Sequence, residues 1–339
     1  MAEPDVKTTM LAQARDTLGI PESLANDPKY KKYVSQVDKC LATFDNVHEW
    51  ADFIAFLTKL LKAFQSFMQY KEIPRKLVVA KRLAQCLNPA LPNGVHQRAL
   101  DVYAHVLAVL GLDGLKRDLL LWSAGLFPFF EYAATSVKPA LLNLYDTHFL
   151  PLGSSLRPAT RALILALLPG LEEEQGEFFD KVLALLDRLA GTVGTSFFFM
   201  NVWLVLLSAP SARAPALNLL ARRLPKVGPD DDLTSIVGSD TGLMIRAFAA
   251  ALEDENMLVR RGILELLCTT LRMDGDVMKK AQHLDRTILM RAATGVVLRR
   301  DLSLSRRLFA WLLGSAEKPE AQVSHLKEYG LALLVSTLK

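Results

Sequence analysis

The sequence predicts an all-α fold in which antiparallel helical hairpins stack into an α-solenoid. Residues 73–110 carry two amphipathic stretches joined by the short turn LPNG. The rest of the chain reads as variations on that pair, with proline and glycine between the apolar stretches. The apolar face of each helix is too broad to be buried by the other helix of its hairpin alone. Neighbouring hairpins must therefore pack against one another.

The first helix of the 73–110 hairpin has an apolar stripe along one face and basic residues on the opposite face. Pro74 suits a first helical turn, so the helix is predicted to begin near Arg75 and to stop at Asn88-Pro89. At 100° per residue, the apolar stripe contains Leu77, Ala80, Leu83, Ala84 and Leu87. The opposite face contains Arg75, Lys81, Arg82 and Gln85. The second helix follows Gly94 with its own stripe of Val95, Ala99, Val102, Val106 and Val109.

Before this hairpin, two further helices are predicted. The stretch from Lys29 to Phe44 has apolar residues along one side of a helix and lysines outside that stripe. Residues 49–70 form a long helix whose apolar positions, Trp50 among them, nearly cover two faces, so we expect it to be sandwiched between neighbours.

After the hairpin, helices are predicted at 116–134, with an interruption at Pro128, and then at 136–153, 157–170, 171–194, 197–208 and 212–224. Asp230, Asp231 and Asp232 open a short helix, followed by 241–252 and 256–272. The segment DENMLVRRGILELL resembles the second helix of a HEAT repeat, which makes the predicted solenoid HEAT/armadillo-like. In the last packed helix, Asp301 or Ser303 is the cap and the stripe contains Leu304, Leu308, Trp311 and Leu312.

Three segments are predicted along the chain. Residues 1–28 are a lead without a sustained apolar stripe, residues 29–314 are the helical-repeat domain, and residues 315–339 are a polar linker and one further helix. The apolar runs Leu119–Phe130 and Phe197–Leu207 fall well short of the roughly 20 residues that a membrane span requires. We therefore expect no transmembrane span.

The composition favours a folded, reduced protein. Hydrophobic residues make up 51% of the 339 residues, which excludes disorder for most of the chain. Cys40, Cys86 and Cys268 are odd in number and far apart, so neither a disulfide framework nor a zinc site is predicted. Together with the absence of an Asn-x-Ser/Thr sequon, this indicates the cytosolic side of a cell.

No arrangement of residues predicts catalysis. The chain has no GxSxG, GxxxxGK[ST], GxGxxG or HExxH motif and no paired Cys and His ligands. The acidic run from Glu172 to Glu177 is better explained by a helix N-terminus than by paired catalytic carboxylates. We therefore predict no enzyme activity, no catalytic residue, no metal and no cofactor.

Basic residues gather at two places although the net charge is only +4. The N-terminal basic cluster, a candidate lipid or membrane site, contains Lys29, Lys31, Lys32, Arg75, Lys76, Lys81 and Arg82. The C-terminal basic cluster, a candidate partner or lipid site, contains Arg299, Arg300, Arg306 and Arg307. Convergent cations attract polyanions, but the alternative of solvated faces or intrahelical ion pairs is equally open from the sequence.

Four strings carry a specific family likeness: IPRKLVVAKRLAQCLNPALPNGVHQRALDVY, LWSAGLFPFFEYAATSVKPALLNLYDTHFLPLG, LLPGLEEE and VVLRRDLSLSRRLFAWLLG. They resemble the N-terminal domain of the Dopey family of large cytosolic trafficking proteins, over roughly residues 29–314. The resemblance implies a peripheral scaffold on trans-Golgi and endosomal membranes. It also implies three partners: Mon-two, a protein related to the Sec-seven Arf exchange factors; a phospholipid flippase; and membranes that contain phosphatidylinositol 4-phosphate.

Two functions follow as hypotheses. The first is a non-enzymatic scaffold that binds anionic, phosphoinositide-containing membranes through its basic faces and protein partners through its helical surface. The alternative is a nucleic-acid-binding helical repeat, which the same basic residues suggest. A nucleic-acid-binding repeat protein would carry the same two or three base-contacting polar residues in every repeat. The helical repeats here are irregular, so no nucleic-acid partner is predicted.

Overall fold

The computed structural model describes residues 24, 26–224, 233, 238 and 240–338. The helix predicted to open at Asp230, Asp231 and Asp232 and most of the predicted 1–28 lead lie outside the described residues. All regular elements in the described part are helical, which confirms the all-α class. The chain forms two compact units, Met1–Ala162 and Leu163–Lys339.

The first unit contains seven α-helices within its described part: α1 Pro28–Ala42, α2 Trp50–Gln65, α3 Lys76–Cys86, α4 Asn93–Arg117, α5 Leu119–Leu126, α6 Phe129–Tyr132 and α7 Lys138–Leu144. Helix α2 packs against α1 and α4, and α3 packs against α5. A glycine with a φ of 61°, Gly111, interrupts α4, and Pro128 separates α5 from α6 as the sequence predicts. Irregular helical turns span Tyr145–Phe149 and Leu150–Ala159, and α8 Thr160–Leu167 follows.

The core of the first unit is aromatic. Tyr33, Phe64, Tyr103, Trp122 and Tyr145 are all fully buried. The Tyr145 hydroxyl donates to the Leu126 carbonyl at 2.8 Å, so its polar end is satisfied inside the core. The rings of Tyr33 and Phe64 meet edge to face, with centroids 6.3 Å apart, which joins α1 to α2.

Two predictions about buried faces in this unit are wrong. Trp50 is 59% exposed, because it is the first residue of α2 and the buried stripe runs instead through Phe56, Leu60 and Phe64. Leu77 is also exposed, because α3 buries Val79 and Leu83. Ala80, Leu83 and Leu87 of the predicted α3 stripe are buried, so the error concerns the edge of each broad stripe rather than the face as a whole.

In the second unit the helices pack in two rows. Its helices are α9 Phe179–Val193, α10 Thr195–Ser208, α11 Arg213–Arg223, α12 Thr241–Leu252, α13 Met257–Thr269, α14 Asp276–Lys280, α15 His283–Gly295, α16 Leu302–Leu313, α17 Pro319–His325 and α18 Leu331–Leu338. Helices α10, α12, α15 and α18 pack in succession, and α11, α13 and α16 form a second succession. The side chains of Asp240, Asn256 and Asp301 cap α12, α13 and α16.

The last packed helix agrees with its prediction. Asp301 is the N-cap, and its carboxylate accepts from the Leu304 amide at 2.9 Å. The predicted stripe of Leu304, Leu308, Trp311 and Leu312 is buried. The Trp311 indole donates to the Leu271 carbonyl at 2.8 Å, which ties α16 to the segment that follows α13. The segment limits at residues 28 and 314 stay a prediction.

Candidate membrane-binding surfaces

Helix α1 presents a row of lysines to solvent. Asp27 caps the helix by accepting from the Lys29 amide at 2.8 Å, and Pro28 occupies the first turn. Tyr30 and Tyr33 face the core, which leaves the lysines between and beside them outside. Lys29, Lys31 and Lys32 are exposed, and none forms an ion pair within the part of the chain that the structure describes.

Three other members of the N-terminal basic cluster are instead held in ion pairs with helices distant in sequence. Arg75 pairs with Asp38 at 2.8 Å. Lys76 pairs with Asp118 at 2.7 Å. Arg82 pairs with Asp45 at 2.9 Å, and its guanidinium lies over the Phe44 ring, 4.4 Å from the centroid. These cations are neutralised within the fold, so the cluster available to a ligand is smaller than the sequence suggests.

Asp118 is the centre of the most buried of these networks. Its carboxylate accepts hydrogen bonds from Lys76 at 2.7 Å and from Arg117 at 2.9 Å. The Arg117 guanidinium also donates two hydrogen bonds to the Glu72 carboxylate, at 2.7 and 2.8 Å. Burial by itself raises the pKa of Asp118, but the hydrogen bonds from Arg117 and Lys76 outweigh burial, and the pKa is lowered. Lys76 is therefore a structural residue rather than a free lipid contact.

Lys81 remains exposed on α3. The ion pairs of Arg75 and Arg82 join α3 to α1 and to the turn after it. We call Lys29, Lys31, Lys32 and Lys81 the free lysine set.

The C-terminal basic cluster likewise contains one ion-paired residue and several exposed ones. Arg307 bonds to Glu265 at 2.6 Å and to the Ser303 hydroxyl at 2.6 Å, so its charge is compensated. Arg299, Arg300 and Arg306 are exposed. Arg300 has a φ of 56°, a left-handed conformation that turns the chain sharply into α16.

Two leucines protrude beside these arginines. Leu298 is 83% exposed and Leu302 is 78% exposed, which places both in water next to Arg299 and Arg300. Sequence reasoning missed them because leucines are assigned to the core by default. The available signal was that Leu302 lies off the stripe that Leu304 and Leu308 define.

The described part of the chain holds no arrangement suited to metal chemistry: within it, no group of three His, Cys, Asp or Glu side chains could hold a metal ion. A cavity of about 140 Å³ is lined by Cys268, Asp274 and His325, among others. Burial raises the pKa of the Cys268 thiol, and Asp274 is paired with Arg272 at 2.7 Å. A thiol with a raised pKa stays protonated near neutral pH, and the protonated thiol is a poor nucleophile.

None of the helices in the described ranges is long and apolar enough to cross a membrane.

Comparison with known proteins gives the family. The family described as Dopey, N-terminal matches residues 27–317. The chain is 41% identical to Protein DOP1B of Mus musculus over 318 residues, which covers 91% of this chain and 14% of that protein. It is 40% identical to Protein dop1 of Emericella nidulans and 33% identical to Protein DOP1 of Saccharomyces cerevisiae, covering 18% and 20% of those proteins.

No solved structure matches the chain. The chain spans a small part of the relatives' length, and the family match contains every residue of both basic clusters. The chain belongs to the Dopey family and carries its N-terminal domain.

Proposed function

We propose that this chain is a non-enzymatic scaffold and adaptor domain in Golgi–endosome vesicle trafficking. In this proposal it binds anionic, phosphoinositide-containing membranes through its basic faces and binds protein partners through its helical surface. It is cytoplasmic and peripheral on trans-Golgi and endosomal membranes, and its partners are a Mon-two-type scaffold and a phospholipid flippase. Membership of the Dopey family supports this assignment.

We also propose an α-solenoid arrangement of hairpins within each unit. Side-chain bonds that span 36 to 47 positions recur along the described chain, such as Arg223 to Asp187 at 36 and Asn218 to the Leu171 carbonyl at 47. HEAT and armadillo repeats have periods of about 40–47 residues. The two successions of helices in the second unit support the same arrangement, and such a stack offers a long surface to partners.

The observation that carries the membrane proposal is the free lysine set. Four exposed cations without an ion pair among the described residues lie on α1 and α3 of the first unit, which the ion pairs of Arg75 and Arg82 connect. Each Lys or Arg close to an anionic bilayer contributes about 1 kcal/mol, so this set is sufficient for reversible attachment. Attachment of this kind weakens as salt is raised, because mobile ions screen exposed charges.

Vesicle co-sedimentation tests the proposal. We expect the chain to sediment with phosphatidylcholine vesicles that contain phosphatidylinositol 4-phosphate, and to be released by salt. The triple variant Lys31→Glu, Lys32→Glu and Lys81→Glu should lose most of this binding.

The matched control reverses the same number of exposed lysines elsewhere, at Lys181, Lys318 and Lys327. Equal binding by both triple variants would refute the assignment to the free lysine set. Tight binding of RNA at moderate salt, with no sedimentation of vesicles, would instead favour the nucleic-acid alternative.

A further inference from the structure

One side of helix α16 is open to water. In its succession of helices, α13 packs against α11 and also against α16. Helix α16 packs on α13, to which the bond from Arg307 to Glu265 joins it. Its next neighbour, α17, contacts the C-terminal end of α16, where Nδ1 of His325 lies 3.2 Å from the Leu312 carbonyl. The earlier turns of α16 are therefore uncovered on the side away from α13.

The residues on this open side are mainly apolar. Arg307 marks the side of α16 that faces α13. At 100° per residue, Leu302, Arg306 and Phe309 lie about 100–160° round the helix from that side. Leu302 is 78% exposed, Phe309 is 51% exposed, and Arg306 is exposed between them. We call Leu302, Arg306 and Phe309 the α16 strip.

The spacing of the α16 strip suits another helix. Residues at i, i+4 and i+7 form a ridge along one face of a helix, and such a ridge packs into the groove of a facing helix. Leu298, in the turn before the helix, is also exposed and adds apolar surface at the N-terminal end of the strip. The strip thus offers the kind of position in which each helix of a stacked repeat receives the next one.

The charges beside this end of the strip are basic. Arg299 and Arg300 lie just before α16, Arg306 lies within it, and all three are exposed. None of them forms an ion pair in the part of the chain that the structure describes. Helix α16 itself contains no acidic residue, and Asp301 before it is engaged as its cap. A partner with carboxylates beside its apolar residues is therefore complementary to the strip.

A second copy of the chain would fit the strip poorly. Residue 306 lies near the middle of the strip, between residues 302 and 309. Two α16 helices that packed antiparallel about a two-fold axis would therefore bring the two Arg306 side chains together. Like charges that face each other oppose such a dimer. The charge pattern favours a different, acidic partner.

We propose that the α16 strip is the docking site for an acidic amphipathic helix of a partner protein. The inference rests on the partner-binding part of the proposed function, and it adds the surface and the chemistry of the partner. In the complex, apolar side chains of the partner helix cover Leu302 and Phe309. Carboxylates that flank those side chains pair with Arg306 and with the two arginines before α16.

Two synthetic peptides test the proposal by fluorescence anisotropy. Each is about 20 residues long, which is enough for a helix to form, and each has leucines at i, i+4, i+7 and i+11. One peptide carries glutamates beside the leucines, and the other carries lysines at the same positions. We expect the acidic peptide to bind the wild type about tenfold more tightly than the basic one, and to bind more weakly as salt is raised. Equal affinity for the two peptides would overturn the proposal.

Substitutions assign the binding to the strip. Arg306→Glu should reverse the preference, so that the basic peptide binds more tightly. Leu302→Ser combined with Phe309→Ser should weaken binding of the acidic peptide by about tenfold or more. The control, Leu284→Ser combined with Ile288→Ser, removes two exposed apolar residues of α15 and should bind as the wild type does. All five residues are exposed, so the unfolding midpoints in urea should stay near that of the wild type.

Three results of these substitutions would show that the site is wrong. In the first, Arg306→Glu keeps the preference for the acidic peptide. In the second, the double variant of the strip binds the acidic peptide as tightly as the wild type does. In the third, the α15 control weakens binding as much as the strip variant.

Other occupants of the strip give different results. Self-association in analytical ultracentrifugation that is abolished by Leu302→Ser with Phe309→Ser would replace the partner helix by a second copy and overturn the proposal. A wild type that binds neither peptide, and whose sedimentation with anionic vesicles is lost in the same double variant, would make the strip a membrane contact. That result would also overturn the proposal.

The membrane proposal and the docking proposal fail separately. If the wild type sediments with anionic vesicles but binds neither peptide, the docking site is wrong and membrane attachment through the free lysine set stands. If the wild type binds the acidic peptide through the α16 strip but sediments with no vesicles, the membrane part of the proposed function fails and the docking site stands.

Discussion

Removing Asp118 should destabilise the first unit far more than removing any exposed carboxylate. The side chains of Lys76 and Asp118 are 15% and 8% exposed, and their charged atoms are 2.7 Å apart. At that separation and an effective dielectric constant of about 20, the gross attraction is about 6 kcal/mol. Desolvation offsets part of this, and removal of one partner of a buried pair costs about 3–5 kcal/mol. Because Lys76 keeps some contact with water, we expect about 3 kcal/mol for Asp118→Ala.

A double-mutant cycle with Lys76→Met measures the interaction itself. Lys76→Met should cost less than Asp118→Ala, because Arg117 still donates to the carboxylate at 2.9 Å. The free energies of unfolding come from urea titrations followed by circular dichroism. The double variant should be more stable than the sum of the single effects predicts, by about 1–2 kcal/mol.

The cycle also has a functional readout. If Lys76 is structural, Lys76→Met should reduce stability and leave vesicle affinity nearly unchanged, while Lys81→Met should do the reverse. Strict additivity in the cycle would refute the pairing, and a loss of vesicle binding in Lys76→Met without a loss of stability would return Lys76 to the lipid site.

Further predictions concern close packing, a buried indole and acid. Gly125→Ala should destabilise the chain by about 1–3 kcal/mol, because a Cβ there would lie 2.6 Å from a tyrosine hydroxyl and 2.9 Å from an alanine Cβ. Gly191→Ala, where a Cβ meets nothing within 4 Å inside a helix, should stabilise it by about 0.5–1 kcal/mol in the same urea titration. Trp311→Phe deprives the Leu271 carbonyl of its donor and should lower the free energy of unfolding by about 1–2 kcal/mol. The lowered pKa of Asp118 gives stability that is present above the unfolded value of about 3.9 and is lost as the pH falls through the folded value. Asp118→Asn should flatten the stability profile below about pH 4, and an unchanged acid slope would contradict this reading.

Much of the secondary structure follows from local signals. The cap at Asp301 and the breaks at Gly111 and Pro128 depend on residues within one turn, so the sequence locates them. The face that a helix buries is harder to derive. Trp50 and Leu77 fall on the predicted apolar stripes and yet lie in water, because neighbouring helices select which part of a broad stripe is covered.

In the basic clusters, too, some properties follow from the sequence and others only from the tertiary structure. Their positions along the chain are visible in the sequence, but their availability is not. Lys76 and Lys81 both belong to the predicted N-terminal basic cluster. Among the described residues only Lys76 forms an ion pair, with Asp118, which lies 42 positions away. Arg260 is the converse case: nothing local in the sequence shows that it is buried or that its Nη2 has no hydrogen-bond partner in the described part of the chain.

The sequence by itself determined the all-α class, the family and the places where cations gather, because these depend on periodicity, caps and contiguous strings. The tertiary structure decided which of those cations are neutralised, which leucines protrude and which guanidinium is buried without an ion pair among the described residues. Such properties belong to pairs of residues some 40 positions apart, and packing between helices, rather than any local pattern, brings those residues together.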